Sequence, residues 1–215
     1  MCYVTTTNRT MVKQTVLVDF DGVVFRNTKV SRMVQEKSIR YVASRKGVHY
    51  RDAKIMNKVG YTKFGHTARL VSDDEDSVKD YNEYVFDRHL FRWIGDTISY
   101  TDNTLLQRVS NARKNNDLRL ILCTNAPKLY CQHVLFYMGI SWSDVFDENT
   151  YFTSDTGLIK PLDAYYNHVE DALDLNEYHF IDDSVSNIMP CVHRPQWNGC
   201  VINNEKDLMV YLDRI

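Results

Sequence analysis

The run Val16-Leu17-Val18-Asp19-Phe20-Asp21-Gly22 is a short aliphatic segment that stops in a polar turn. Two of its three aliphatic residues are β-branched, which suits a buried strand, and the acidic pair with the glycine marks where that strand ends. The pattern recurs: Leu118 to Cys123 ends at Thr124-Asn125, Tyr178 to Ile181 at Asp182-Asp183-Ser184, and Gly199 to Ile202 at Asn203-Asn204. Helix-like stretches lie between. Pro127 suits a first helical turn and is followed by Tyr130, Val134, Tyr137 and Met138 at i, i+4, i+7 and i+8. Leu162, Tyr165, Tyr166, Val169 and Leu173 repeat in the same way after Pro161, and Glu205 to Leu212 is compatible with one more helix. Strands alternating with helices predict an α/β protein: a Rossmann-like parallel sheet with helices on both faces and its ligand site at the carboxyl ends of the strands.

From Asn27 to Tyr100 the alternation breaks. There is no strand pattern, and Val30 to Arg45, Asp52 to Val59 and Val78 to Phe91 read as helical, with Val30, Val34 and Tyr41 on one face and Ile39 off it. This predicts a core made of residues 1–26 and 101–215 and an all-helical cap, residues 27–100, inserted after the first strand. The acidic run from Ser72 to Ser77 inside it reads as a solvated interhelical loop.

The 215 residues carry 26 Lys and Arg against 28 Asp and Glu. That balance predicts no affinity for nucleic acid polymers or membrane surfaces and favours a small substrate. Met1 to Gln14 is polar, without the apolar run of a signal peptide, and no segment is long and apolar enough to span a bilayer, so a cytoplasmic protein is expected. Cys2, Cys123, Cys131, Cys191 and Cys200 are scattered without CxxC spacing, and are read as reduced thiols. Cys191, His193 and Cys200 lack the fourth ligand that zinc wants.

Side chains at i and i+2 of extended backbone point the same way, so Asp19 and Asp21 can face one site. Alone, such a pair is an ordinary turn. If Asp182 and Asp183 come from a neighbouring parallel strand, carboxylates about 4 Å apart repel by some kcal/mol at an effective dielectric near 20, and a cation is needed. Hard oxygen donors with room for water and phosphate fit Mg²⁺ better than zinc. Lys160 supplies a second positive charge, and Thr124 and Asn125 bring a hydroxyl and backbone N–H groups to a helix start, suited to an anion.

The segments Val18-Asp19-Phe20-Asp21-Gly22-Val23, Leu122-Cys123-Thr124-Asn125, Ile159-Lys160-Pro161 and Phe180-Ile181-Asp182-Asp183-Ser184 resemble, in order, the four motifs of the haloacid dehalogenase superfamily. The resemblance implies a phosphomonoesterase. Asp19 would be the nucleophile that becomes an aspartyl-phosphate. Asp21 would protonate the leaving alcohol and then activate water. Mg²⁺ would be held by Asp19, the Asp21 carbonyl, Asp182 and Asp183, the last two undistinguished by sequence. Thr124, Asn125 and Lys160 would hold phosphate oxygens. Dehalogenases of that superfamily lack an acid at the Asp21 position, because a halide needs no proton to leave.

Tyr61-Thr62-Lys63-Phe64-Gly65-His66-Thr67-Ala68-Arg69 and Asp80 to Val85 resemble cap segments of the pyrimidine 5′-nucleotidase-like branch. His66 departs from it, standing where an aliphatic residue is usual, as does Val71, near an expected glycine. Tyr61 and Phe64 are placed to stack on a base, and His66 or Arg69 to reach a sugar or phosphate. Equally, these aromatics can pack the cap's own core, with Arg69 in a surface ion pair. The expected substrate is a nucleoside monophosphate. A sugar or glycerol phosphate is the alternative, and a catalytically silent binding protein a third. Oligomeric state is not legible.

Overall fold

The computed structural model describes residues 14–72, 74–99 and 103–215. Cys2, Asp73 and Tyr100 therefore lie outside the described residues. Five parallel strands form one sheet in the order β3-β2-β1-β4-β5: β1 Thr15–Val18, β2 Arg119–Cys123, β3 Tyr151–Phe152, β4 Tyr178–Asp182 and β5 Trp197–Val201. The chain runs outward from β1 to β2 and β3, then returns to place β4 on the other side of β1. The connections reverse direction between β1 and β4, where such sheets open a crevice.

Alternation along β1 sends side chains to both faces. Val16 and Val18 join a cluster with Leu120, Leu122 and Ile181, covered by α5 (Arg88–Thr97), α6 (Thr104–Asn115), α7 (Lys128–Tyr137) and α11 (Glu205–Leu212). Leu17, Ile121, Cys123 and Phe180 pack on the opposite face under Tyr165, Tyr166 and Val169 of α9 (Asp163–Leu173), and the short helices α8 (Trp142–Val145) and α10 (Val185–Ile188) precede β3 and follow β4. A strand buried on both sides needs apolar residues throughout, which is why the Val-Leu-Val run stands out in the sequence.

Four helices, α1 (Thr28–Lys46), α2 (Tyr50–Phe64), α3 (Ala68–Val71) and α4 (Glu75–Val85), enclose a third cluster of Ile39, Tyr41, Val42, Ala53, Ala68, Val78, Tyr81 and Val85. Asn27 caps α1 by accepting from the N–H groups of Lys29 and Val30, and Gly47 ends it at φ 63° with its N–H donating to the Ala43 carbonyl. Ile39 does not lie off the packed face: it is buried, because α1 packs against α2 on one side and α4 on another, so its buried arc is wider than one stripe.

The helix expected over Val78 to Phe91 is two helices. Asp87 breaks it, its carboxylate accepting from the Leu90 N–H to start α5. α5 then packs against α7 and buries Leu90 and Ile94 in the sheet's cluster, so the last helix of the insertion covers the sheet. In the described part of the acidic run, Asp74 caps α4 through the Ser77 N–H at 2.7 Å. No helix among the described residues is long and apolar enough to cross a membrane.

Candidate functional site

Register brings the expected residues together. Val18 pairs with Leu122 on one side and Ile181 on the other, so the next residue on each strand, Asp19, Cys123 and Asp182, emerges at one edge of the sheet. Beyond Asp19 the chain turns back on itself, with the N–H groups of Val24 and Phe25 donating to the Phe20 carbonyl and Gly22 at φ 80°. A Cβ on Gly22 would lie 1.9 Å from Asp183 Oδ2, so only glycine lets that carboxylate close over the turn.

Lys160 is the hub. It is 0% exposed, and its ammonium donates to Asp19 Oδ1 at 3.0 Å, Asp182 Oδ2 at 2.5 Å and the Cys123 carbonyl at 2.7 Å. Burial alone would lower the lysine's pKa, but Asp182 and Asp19 outweigh it and hold the ammonium above its ordinary range. Burial pushes Asp19 upward; Lys160 pulls against it, and the charges of Asp182 and Asp183 push again. Asp21 sits in a different environment. Its Oδ1 accepts a 2.8 Å bond from the Tyr130 hydroxyl, and it is pushed up to about 7, chiefly by burial.

Asp182 and Asp183 are distinguished by their surroundings. Asp182 is fully buried, and its oxygens accept from Lys160, from Asn187 Nδ2 at 3.0 Å each and from the Ser184 N–H at 2.8 Å. Asp183 is exposed at the mouth, over Gly22. Asp19, Asp182 and Asp183 each offer an oxygen within 4.8 Å of the others, forming a possible metal-holding group among the described residues. Hard donors of like charge, closed over a glycine that leaves room for them, fit a small divalent cation such as Mg²⁺. The described cysteines, Cys123, Cys131, Cys191 and Cys200, are free thiols.

Thr124 is buried, with its hydroxyl accepting from the Ala126 N–H at 3.2 Å just ahead of α7. Pro127 caps α7 from outside its first turn. The Asn125 side chain is engaged with the third motif: Nδ2 donates to the Lys160 carbonyl at 2.9 Å and Oδ1 accepts from the Lys160 N–H at 2.8 Å. The amide thus clamps the backbone that carries the hub.

The helical insertion docks onto this edge. Tyr61 leaves 53% of its surface open, and its hydroxyl is pushed up by burial and then by the charges of Asp19, Asp183 and Asp182. Gly65, at φ 70°, approaches the third motif so closely that a Cβ would lie 2.3 Å from Pro161 Cδ. His66 is buried against the Tyr81 ring, 4.7 Å between centroids, with Nδ1 accepting from the Ala68 N–H and a hydrogen bond to the Asn125 backbone. Phe64 is half-buried, with the Lys63 ammonium 4.9 Å above its ring, and half-buried Arg69 lies close enough to act electrostatically on His66. Asn82 Nδ2 adds a 2.9 Å bond from α4 to Ser154 Oγ. Tyr61 thus lies within electrostatic reach of the acidic cluster, whereas His66 is held in the seam between insertion and sheet.

Burial, then Arg69, lowers His66 to about 4 from its ordinary 6.5. A histidine depressed in the folded state takes up its proton first in the unfolded chain, so its stabilising effect is present above pH 6.5 and is lost as pH falls towards 4. The loss is on the order of 3 kcal/mol across that window. Wild type is therefore expected to lose more melting temperature between pH 7 and 5 than a His66→Gln variant; parallel decline of the two would contradict a neutral buried imidazole.

Tyr130 and Asn187 escape sequence reading as site residues. Tyr130 stands on an apolar helix stripe, where its hydroxyl is the one signal, since a buried phenol usually finds a polar partner. Asn187 lies five residues beyond Asp182 in the short helix Val185–Ile188, with no local pattern to mark it.

A family model described as haloacid dehalogenase-like hydrolase matches residues 13–191. No match was found among curated protein sequences. The fold is similar to that of a protein described as a HAD hydrolase, YfnB from Bacillus subtilis, solved bound to magnesium, with a TM-score of 0.56, 16% identity and coverage of 94% of this chain and 99% of that one. A HAD phosphatase from Thermococcus onnurineus gives 0.54 at 14% identity, covering 94% and 98%. A protein described as a beta-phosphoglucomutase from Thermotoga maritima gives 0.54 at 12%, covering 94% and 99%.

Proposed function

We infer the reaction from family membership: the chain belongs to the haloacid dehalogenase-like hydrolases and is an enzyme. Within that family we propose a phosphomonoester hydrolase, acting in the cytoplasm on small substrates. The observation that carries this reading is the different surroundings of two neighbouring carboxylates. Asp19 is paired with a buried ammonium at 3.0 Å, while Asp21 accepts from a neutral phenol at 2.8 Å, and burial pushes both carboxyls upward. A charged donor at one acid and a neutral donor at the other suit them to different roles.

Asp19 Oδ attacks phosphorus, the ester bond to the alcohol breaks, and Asp21 gives that alcohol its proton. Asp21 then takes a proton from the water that hydrolyses the aspartyl-phosphate. Lys160 neutralises the nucleophile's neighbourhood, and Thr124 and the N–H groups around Asn125 offer donors to phosphate oxygens. Asp19, Asp182, Asp183 and the Asp21 carbonyl would hold Mg²⁺, which when bound supplies charge to neutralise the transferring phosphoryl group.

We assign residues 27–100 as a substrate-selecting cap, with the qualification that α5 packs on the sheet. A nucleoside 5′-monophosphate, pyrimidine by resemblance, is the proposed substrate, and Tyr61, Phe64 and Arg69 are the cap residues offered to it. A panel of nucleotides, sugar phosphates and glycerol phosphate with Mg²⁺ tests this; comparable turnover across the panel would remove the reason for naming nucleotides. Tyr61→Phe is expected to shift preference among these substrates several-fold while leaving hydrolysis of p-nitrophenyl phosphate nearly unchanged. Equal loss on both would assign Tyr61 to cap folding.

A further inference from the structure

The acid–base carboxylate has a partner that none of the four motifs supplies. Tyr130 lies on α7, and its hydroxyl donates to Asp21 Oδ1 at 2.8 Å across 109 positions of sequence. Its ring is buried and fixed from two sides: edge-on to Phe20 at 6.0 Å, and tilted against Phe86 at 5.0 Å. Phe86 closes α4 at the junction with α5, its N–H donating to the Asn82 carbonyl. A phenol keeps its proton at neutral pH, so the Tyr130 hydroxyl is the donor and Asp21 Oδ1 the acceptor.

We propose that Tyr130 is a positioning residue, whose hydroxyl fixes the Asp21 carboxyl through Oδ1 and so leaves Oδ2 to exchange the proton with the leaving alcohol and then with water. The inference rests on the phosphatase reading. In the first step the Asp19 oxygen–phosphorus bond forms, the phosphorus–alkoxide bond breaks, and the proton on Asp21 Oδ2 moves to the alkoxide; Tyr130 keeps its own proton throughout. Without the phenol bond the carboxyl turns freely, and the fraction of time that Oδ2 faces the leaving oxygen falls. That matters where the leaving group needs a proton, and little where it does not.

The test compares wild type, Tyr130→Phe, Asp21→Asn and the double variant, all with Mg²⁺, on an alkyl phosphate and on p-nitrophenyl phosphate, whose leaving phenolate is stable without a proton. For Tyr130→Phe, kcat/KM on the alkyl ester is expected to fall by about 10- to 100-fold, the scale of a displaced catalytic group. On the nitrophenyl ester it should stay within about threefold, because general acid assistance is small there. In the Asp21→Asn background the Tyr130 change should add nothing. Phe86→Leu, which loosens the ring and keeps the hydroxyl, is expected to give a smaller loss with the same bias towards the alkyl ester. Equal losses on both esters, no loss at all, or a full loss on top of Asp21→Asn would overturn the positioning role. A wild type inert on both esters would overturn the phosphatase reading itself, and this inference with it.

Discussion

Asp19→Asn is expected to lower phosphomonoester turnover by a factor on the order of 10⁴ or more, the scale seen when a covalent nucleophile is removed. The amide keeps the shape of the carboxylate and can still accept from Lys160, but it does not attack phosphorus. The loss should come without unfolding. Lys160 retains Asp182 at 2.5 Å and the Cys123 carbonyl at 2.7 Å, so the buried ammonium is not left unpaired. One of three mutually repelling acidic side chains is also removed, which favours an unchanged or higher melting temperature. Turnover measured beside thermal melting therefore separates chemistry from folding. Undiminished hydrolysis by a well-folded variant would refute Asp19 as the nucleophile.

This contrast with Lys160 shows how the site depends on its fold. A lysine with all three protons bonded inside the protein is strongly held, yet removing it would leave Asp19 and Asp182 facing each other, a far costlier change. The Asn125 clamp on the Lys160 backbone and the close approach of Gly65 to Pro161 place that same loop between the second motif and the insertion. The acidic site and the docking of the helical insertion thus meet at one short segment.

Much of this was readable before the structure. A Val-Leu-Val run that stops in a polar turn suits a strand buried on both faces, so its end at Asp19 followed from local sequence, whereas the place of Asp21 is set by the turn beyond it. The three other strand ends followed likewise, although β5 begins at Trp197, two residues before the run at Gly199. What escaped has physical reasons. β3 has two residues, too few for any periodicity. In α6 the buried stripe contains Ser110 beside Leu106, Val109 and Ala112, which blurs the apolar pattern. The partners of Asn125 and Tyr130 lie 35 and 109 positions away, and no local rule reports them. For His66, sequence marked a residue of the insertion but not the direction of its side chain. Burial against Tyr81 and the seam with Asn125 decide that.

Removal of divalent metal is expected to abolish turnover, and Mg²⁺ to restore it. Three carboxylates within 4.8 Å of one another repel, Lys160 pairs with two of them, Asp19 and Asp182, and a phosphate ester would bring still more negative charge to the same mouth. A second cation relieves both repulsions. Binding also leaves a thermodynamic trace independent of activity, since a ligand that binds only the folded state stabilises it by about 2.7 kcal/mol at a hundredfold excess over its Kd. Mg²⁺ should therefore raise the melting temperature of the substrate-free protein. Asp183→Asn is the informative variant, because Asp183 is exposed whereas Asp182 also anchors Lys160 and Asn187. It should raise the Mg²⁺ concentration needed for half-maximal activity by about tenfold or more and weaken the thermal shift. Activity that survives complete chelation, or a melting temperature indifferent to Mg²⁺ in the wild type, would show that the cluster is balanced by protein charges alone.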